Sequence, residues 1–498
     1  MSRATKLTYD RGTLILHPPP RGKAWIEFAT WDDRIEKFRI PAIYYRALIE
    51  AFEQENINFV DSAKAFFPLE IQSNLTKTPY PHQIEALEAW KLAQRKGVVV
   101  LPTAAGKTYL AQLAIACTPR TTLIVVPTLD LLHQWYAQIE LAFPKIKVGL
   151  LGGGSHDRTP ILIATYHSAA IHAKTLGNHY GLLIFDECHH LPTDFFQVIA
   201  EESIAPYRLG LTATPERGDG SHSYLDNLIG KIIYRKTPQE LSNNTLSEYQ
   251  VIPIKVSLEI EEKKRYNEVI NIRNTFLKQS NISLSSLDGW QLFVKASART
   301  NEGRRAMLAH RESKEIASGT TAKLKVLSEL IEKHYPDKIL IFTNDNATVY
   351  RISQQYLIPA ITYQTPVKER HQILTKYHRG EYKILAASHV LNEGVDVPDA
   401  KIAIILSGTG STREYIQRLG RILRKANNTE KLAILYEVIA EETSDEKTAA
   451  RRKGESYQDN KNKENYQGEI ILYRQNSQQN SSLKAAESKP NWKKNDEG

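Results

Sequence analysis

Lys107 stands in the tripeptide Gly106-Lys107-Thr108 after the apolar run "GVVVLP", and Asp186-Glu187 directly follows another, "GLLIF". A lysine and a hydroxyl at a strand-to-helix joint can serve a phosphate. Backbone N–H groups at the helix start face the anion, Lys107 adds a point charge, and Thr108 offers a hydroxyl to Mg²⁺. The acidic pair supplies the complement, with Asp186 for the metal and Glu187 to orient or deprotonate an attacking water. The common phosphate-loop pattern G-x-x-x-x-G-K-[ST] opens on glycine, whereas "LPTAAGKT" opens on Leu101. With Leu101 read as the end of the buried strand, Thr103, Ala104 and Ala105 form the loop. Alanine at 104 and 105 is expected to leave the backbone approachable without positive φ. A solvated acidic loop would explain Asp186-Glu187 alone, and an incidental lysine Lys107 alone. Neither explains the placement of both.

Cys188, His189 and His190 raise a zinc alternative. Neighbouring residues in a chain rarely converge on one ion, and no spaced C-x-x-C partner exists. Cys188 is therefore read as a small buried side chain and Cys117 as helix core. With two cysteines in 498 residues, a four-cysteine metal site within this chain is excluded and no disulfide framework is expected.

Positioning these groups requires a particular scaffold. "GVVVLP", "TTLIVVP", "PILIATY", "GLLIFDE" and "RLGLTAT" are continuous β-branched runs, the pattern of strands covered on both faces of a parallel sheet. Segments of helical spacing, such as "LDLLHQWYAQIELAF", lie between them, which predicts βαβ units. A second series, "KILIFTN", "PAITYQ", "KILAAS", "KIAIILS" and "KLAILYEVI", predicts another α/β domain. The reading is thus an α/β protein with two parallel-sheet domains, a small N-terminal α+β domain and a helical insertion. The expected boundaries are 1–75 for the N-terminal domain, 76–250 and 319–445 for the two α/β domains, 251–318 for the insertion, and 446–498 for a polar, disordered tail with "GEIILYR" as its one local exception.

The formal charge of +9 favours a polyanionic partner. The N-terminus lacks a secretory core, and no run approaches the roughly 20 apolar residues of a membrane span. A soluble, monomeric, cytoplasmic protein without membrane contact is expected.

"LPTAAGKT", "VPTLDLLHQW", "DECH", "LTATP", "NEGVDVP" and "QRLGRILR" follow one another as in superfamily 2 helicases of the DExH branch. The chain resembles that superfamily from about Pro79 to Glu442, and within it the XPB family in its shorter prokaryotic form. "YDRGTLIL" and "WDDR" are similar to that family's N-terminal damage-recognition domain, and the insertion to its helical thumb. The resemblance implies two RecA-like domains with ATP and Mg²⁺ between them, and a 3′ to 5′ DNA helicase acting in repair or duplex remodelling at a single-strand/duplex junction. It also implies a nuclease partner, as in archaeal members. Residue by residue, Gln83 would read adenine, Lys107 the phosphates, Thr108 and Asp186 the Mg²⁺, and Glu187 the water. Asp396 would meet the ribose, and Gln417, Arg421 and Arg424 would approach the phosphates from the second domain. His189, Thr212 and Thr214, with Arg217 and Asp219, would couple the site to nucleic acid. Thr128, Thr165 and Ser388 are candidate phosphate contacts. In the insertion Arg304 and Arg305, with Arg311 and Lys314, are candidates for gripping the duplex, against the alternative of a solvated helix face. Trp25, Trp31 and Trp290 are read either as base-stacking residues or as fillers of a core.

One departure bears on activity. The family carries Arg-Glu-Asp after "LTATP", and this chain has Arg217-Gly218-Asp219. Losing the central carboxylate keeps open a double-strand DNA translocase that does not separate strands. An RNA helicase and a non-enzymatic DNA-binding scaffold are the remaining alternatives.

Overall fold

The computed structural model describes residues 5–23, 25–217, 219–241, 249–284, 286, 288–335, 337–388, 400–408, 433–452 and 471–473. Three sheets organise them. The N-terminal sheet contains β1 (Thr5–Asp10), β2 (Thr13–His17), β3 (Thr30–Asp32), β4 (Lys37–Pro41) and β5 (Phe59–Ser62), in the order β3-β4-β2-β1-β5. Helix Tyr45–Gln54 presses Tyr45, Leu48 and Phe52 onto it. This domain is docked on its neighbour: Tyr9 donates to the Glu202 carbonyl at 2.8 Å, Arg46 to the Gln94 carbonyl at 2.7 Å, and Ile204 joins its core. Trp25 fills that core, so it is no stacking surface. Trp31 is half-exposed, with its ring edge on Phe38.

The second sheet contains β6 (Lys96–Val100), β7 (Thr122–Val126), β8 (Val148–Gly152), β9 (Ser155–His156), β10 (Ile161–Thr165), β11 (Leu182–Asp186), β12 (Tyr207–Thr212) and β13 (Ile232–Arg235). Its order is β13-β6-β12-β11-β7-β10-β8-β9, parallel except for the short β8–β9 pair. β7, β10 and β11 are buried along their whole length, which is why their sequences are uniformly apolar. Helices such as Lys107–Cys117 and Leu129–Ala142 cover the sheet, with Leu110, Ile115, Trp135 and Ile139 in its core.

The third sheet is parallel throughout and contains β14 (Tyr249–Val256), β15 (Ile339–Phe342), β16 (Ala360–Ile361), β17 (Ile384–Ala387), β18 (Ile402–Ile405), β19 (Ala433–Ala440) and β20 (Ile471–Tyr473), in the order β16-β17-β15-β18-β19-β14-β20. Two expectations are corrected here. The segment 251–256, assigned to the insertion, belongs to β14 and pairs with β19 over eight residues. The stretch from 446, assigned to a disordered tail, begins inside the helix Ser444–Arg452; within the excepted "GEIILYR", Ile471–Tyr473 forms a strand beside β14. The helix is fixed by Lys323, whose fully buried ammonium meets Asp445 Oδ2 at 2.6 Å and the Leu406 carbonyl. Asp445 also accepts the Ala440 N–H at 3.1 Å.

The insertion contains helices Ile260–Gln279, Gly289–Ser297 and Asn301–Gly319 around Phe276, Phe293 and Ala306. Its return point is tied down by Glu262, which accepts from the Thr320 hydroxyl and the Thr321 N–H. The two α/β domains also meet through Arg370, which donates to Asp130 at 3.1 Å. Among the described residues no helix is long and apolar enough to cross a membrane.

Removing one half of a buried, hydrogen-bonded ion pair strands the other charge, at about 3–5 kcal/mol. Lys323→Met is therefore expected to lower the unfolding free energy of the second α/β domain by an amount of that order, read as a lower urea midpoint at unchanged m. A midpoint equal to that of the parent chain would show that Asp445 does not depend on its partner.

Candidate nucleotide site

The site forms where β6, β12 and β11 end side by side. Thr212 pairs with Val100 and Leu211 with Asp186, so residues that follow the strands emerge at one edge. Leu101 continues β6, donating its N–H to the Thr212 carbonyl at 2.9 Å, and is fully buried. This agrees with its reading as a strand end.

The loop is built otherwise than expected at one residue. Ala104 has φ +72, so a non-glycine occupies the left-handed region at a cost of about 1–2 kcal/mol. Turning the chain back within four residues requires this in addition to the turn at Gly106, φ +79. The loop is held down from helix Pro81–Leu92: His82 Nε2 meets the Ala105 carbonyl at 2.8 Å, and the Gln83 amide donates to the carbonyls of Ala105 (3.3 Å) and Gly106 (3.2 Å). Gln83 Oε1 accepts the Tyr80 N–H. The adenine-reading candidate thus lies against the phosphate-loop candidate, with its own side chain engaged there. Thr103 Oγ1 is buried without a hydrogen-bond partner. Thr108 sits in the first turn of helix Lys107–Cys117.

Lys107 Nζ lies 3.5 Å from Glu187 Oε1 and 3.3 Å from the Leu101 carbonyl. Glu187 is itself left-handed, φ +47, where the chain leaves β11. Asp186 accepts the Trp135 indole N–H at 2.9 Å and the Glu187 N–H at 3.1 Å. Its acidity is weakened to a pKa of about 6, first by burial and then by the adjacent Glu187 charge, with Lys107 opposing. Two carboxylates and one ammonium in a closed site leave an excess negative charge, and a divalent cation is the group that would relieve it. Among the described residues no cluster of three or more His, Cys, Asp or Glu is shaped as a metal site of its own. The Cys188 thiol is pushed well up by burial and by the two carboxylates, so it stays protonated. That accords with its reading as an inert core residue.

Behind the carboxylates, His189 is fully buried. Its Nδ1 lies 3.0 Å from Thr212 Oγ1 and 3.5 Å from Glu187 Oε2. Thr212 Oγ1 also accepts the Thr214 N–H. Arg217 donates to the His189 carbonyl at 2.9 Å and to Asp219 through Nε and Nη2. Asp219 is held well below the usual carboxylate range by Arg217, with Ser221 adding hydrogen bonds. The structure therefore brings Gln83, Thr103, Ala104, Ala105, Gly106, Lys107, Thr108, Asp186, Glu187, His189, Thr212, Thr214, Arg217 and Asp219 to one region. Gly218, Asp396, Gln417, Arg421 and Arg424 lie outside the described residues.

Residues 7–63 match the xeroderma pigmentosum group B helicase damage recognition domain, 76–217 the res subunit of type III restriction enzymes, and 322–426 the helicase conserved C-terminal domain. The chain is 41% identical to the DNA 3′-5′ translocase XPB2 of Sulfurisphaera tokodaii over 427 residues, 85% of this chain and 95% of that one. The chain belongs to the XPB family. It is 29% identical to the DNA 3′-5′ helicase XPB of Mycobacterium tuberculosis, over 72% of this chain and 60% of that protein. It thus spans nearly the whole archaeal relative and about six tenths of the bacterial one. In fold it is similar to the helicase domain of Pyrococcus furiosus Hef (TM-score 0.51, 20% identity, covering 74% of this chain and 97% of that one). It is also similar to yeast Dbp5 (TM-score 0.53, 13% identity, covering 80% and 90%). These likenesses bear on the RecA-like architecture alone.

The outer candidates of this XPB-family chain are more dispersed. Thr128 and Thr165 act as N-caps, accepting the N–H groups of Leu131 (3.3 Å) and Ser168 (3.2 Å). Ser388 is buried after β17, and its N–H donates to the Ile361 carbonyl. Arg304 and Arg305 are exposed on the insertion. Arg311 pairs with Glu315 four residues on, and Lys314 lies over the half-exposed Trp290 ring. Two residues of the site were not anticipated. Trp135 was seen only as part of a helical run, and His82 only as a neighbour of Gln83. A buried indole N–H must find an acceptor, which is the signal that would have directed Trp135 to a polar group.

A Cβ at residue 106 would collide with Gln83 Nε2, and φ there is one that L side chains avoid. Gly106→Ala is expected to weaken binding of a fluorescent ATP analogue at least tenfold while leaving the melting temperature within a few degrees. Unchanged affinity would show that the turn at Gly106 does not shape the nucleotide site.

Proposed function

We propose that this chain is an ATP-driven DNA motor of 3′ to 5′ polarity that hydrolyses ATP between its two RecA-like domains and separates or remodels duplexes during repair. The observation that carries the reading is the convergence of Lys107, Asp186, Glu187, His189 and Thr212 at the ends of three neighbouring strands. The archaeal relative's name, a DNA 3′-5′ translocase, supports the polarity and the substrate.

Lys107 would leave Glu187 for the phosphates, and Thr108 with Asp186 would hold Mg²⁺. The cation supplies neutralisation of charge on the phosphate oxygens. Glu187, released from Lys107, would accept a proton from the attacking water. Gln83 would exchange its bonds to the loop carbonyls for the adenine edge, so nucleotide binding and loop position become linked. Asp396 would meet the ribose, and Gln417, Arg421 and Arg424 would bring positive charge from the second domain to the developing phosphoryl charge. One chain then holds a complete site, as a monomer requires. DNA would run over the carboxyl ends of both main sheets, near Thr128, Thr165 and Ser388, held through its backbone and without sequence readout. Arg304 and Arg305 would lie along the duplex. Cutting of a strand would fall to a separate nuclease, and the protein would work in the cytoplasm.

A second reading, translocation on duplex DNA without strand opening, is favoured by one observation. Arg217 and Asp219 are occupied with each other and with His189, and no carboxylate stands between them. Lys107→Ala is expected to reduce the ATPase by about a hundredfold or more, and single-stranded or duplex DNA to stimulate the parent chain more than RNA. Release of a labelled strand from a forked duplex supports unwinding. Triplex displacement without strand release selects translocation, and greater stimulation by RNA would sink the DNA assignment.

A further inference from the structure

A run of aromatic rings leads from the buried His189 to the surface. Ring centroids are 4.4 Å apart for His189–His190, 5.8 Å for His190–Tyr166, 5.4 Å for Tyr166–Phe196, 5.4 Å for Phe196–Phe195 and 5.2 Å for Phe195–His167. Each separation lies in the range of direct aromatic contact. The inner end touches the candidate site through the His189 contacts to Thr212 and Glu187. The outer end is open: Phe195 is 50% exposed and His167 is exposed beside it. Midway, Tyr166 is almost fully buried, and its hydroxyl donates to the main-chain carbonyl of Asp186 at 3.0 Å. Tyr166 immediately follows Thr165, at the end of β10. One side chain therefore joins the segment Thr165–Ser168, which reaches the surface at His167, to the backbone that carries both carboxylates.

Ordinary core packing accounts for Tyr166 and Phe196, which belong to the apolar cluster under the sheet. A buried tyrosine hydroxyl must find an acceptor; here the acceptor is the main chain of Asp186, and at the other end of the run Phe195 and His167 meet as a tilted ring pair at the surface. An exposed ring pair is a platform on which a nucleobase of any identity can stack. Because Asp186 and the left-handed Glu187 are consecutive, a shift of the Asp186 carbonyl re-aims both carboxylates.

We propose that Tyr166 is a positioning residue that couples single-stranded DNA, stacked through a base on Phe195 and His167, to the Asp186–Glu187 carboxylates. This rests on the reading of the chain as a DNA-stimulated ATPase. A base bound on the outer rings favours the arrangement of the run in which it fits best, and the Tyr166 hydroxyl carries that preference to the strand end. His189 is then reached by two routes, the ring run and the Arg217 bond to its carbonyl.

The test uses the full chain and two probes, oligo-dT and a strand of equal length carrying abasic sites. The parent chain is expected to be stimulated more strongly by oligo-dT. Phe195→Ala should lose that preference and require a severalfold higher oligo-dT concentration for half-stimulation. Tyr166→Phe keeps the ring and removes the hydroxyl. It should leave the half-stimulating concentration within about twofold and lower the maximal DNA-stimulated rate about fivefold, the scale of one ordinary hydrogen bond. A parent-like maximal rate in Tyr166→Phe, with an unchanged melting temperature, overturns the coupling role, and a retained base preference in Phe195→Ala overturns the stacking surface. No stimulation of the parent chain by any DNA overturns the motor reading itself, a result distinct from either.

Discussion

The pairing register of three adjacent parallel strands is the constraint on which the site depends. Val100 opposite Thr212, and Leu211 opposite Asp186, bring Lys107, the acidic pair and the Thr212 hydroxyl to the same edge from segments up to about a hundred residues apart in sequence. Side chains alternate along a strand, so a slip of one residue would send Asp186 to the opposite face and present Phe185 to the site. The continuous apolar character of β11 does not by itself distinguish those registers. The hydrogen-bonded ends do: Leu101 N–H closes on the Thr212 carbonyl, and Trp135 reaches Asp186 only where it stands.

One ammonium serves two carboxylates at that edge. Lys107 is shared between Glu187 and a carbonyl, and Asp186 keeps its charge only against burial and its neighbour, with the Trp135 N–H and Lys107 in support. Raising the pKa of a carboxyl on folding means that ionising it costs stability, and that cost grows as pH rises above the unfolded value near 4 until the folded value is passed. Ala104 and Glu187 add backbone strain on either side. Strain and charge thus gather where a polyphosphate and a cation would offset both, while the rest of each sheet is regular and apolar.

Much of the fold was legible because buried parallel strands write continuous β-branched runs, and ten such runs became strands. β14 escaped because Pro253 interrupts its apolar run and the three-helix insertion follows it, hiding its membership of a sheet whose other strands begin at 339. β20 lies in "GEIILYR", which stood out from the polar tail only as a local exception, because three residues are too few to carry a period. Lys107, Asp186 and Glu187 were readable from type and context. The left-handed Ala104 was not, because nothing in an alanine announces positive φ; the need arises from turning the loop under Gln83. Trp135 and Tyr166 were hidden for a related reason, since their polar tips report on tertiary neighbours and their rings look like ordinary core.

The substitution of glycine between Arg217 and Asp219 takes on a narrower meaning beside these contacts. Arg217 is anchored at both ends, to the His189 carbonyl and to the Asp219 carboxylate, and Ser221 fixes Asp219 from the other side. The two flanking charges therefore form an internal strut from the His189 backbone to the following turn and are not both available to an incoming strand. Neither end of this strut uses a side chain from residue 218, which is glycine. A turn held in this way ties the backbone of His189, two residues after Glu187, to Ser221 through Arg217 and Asp219 alone, without help from the uncharged residue between them.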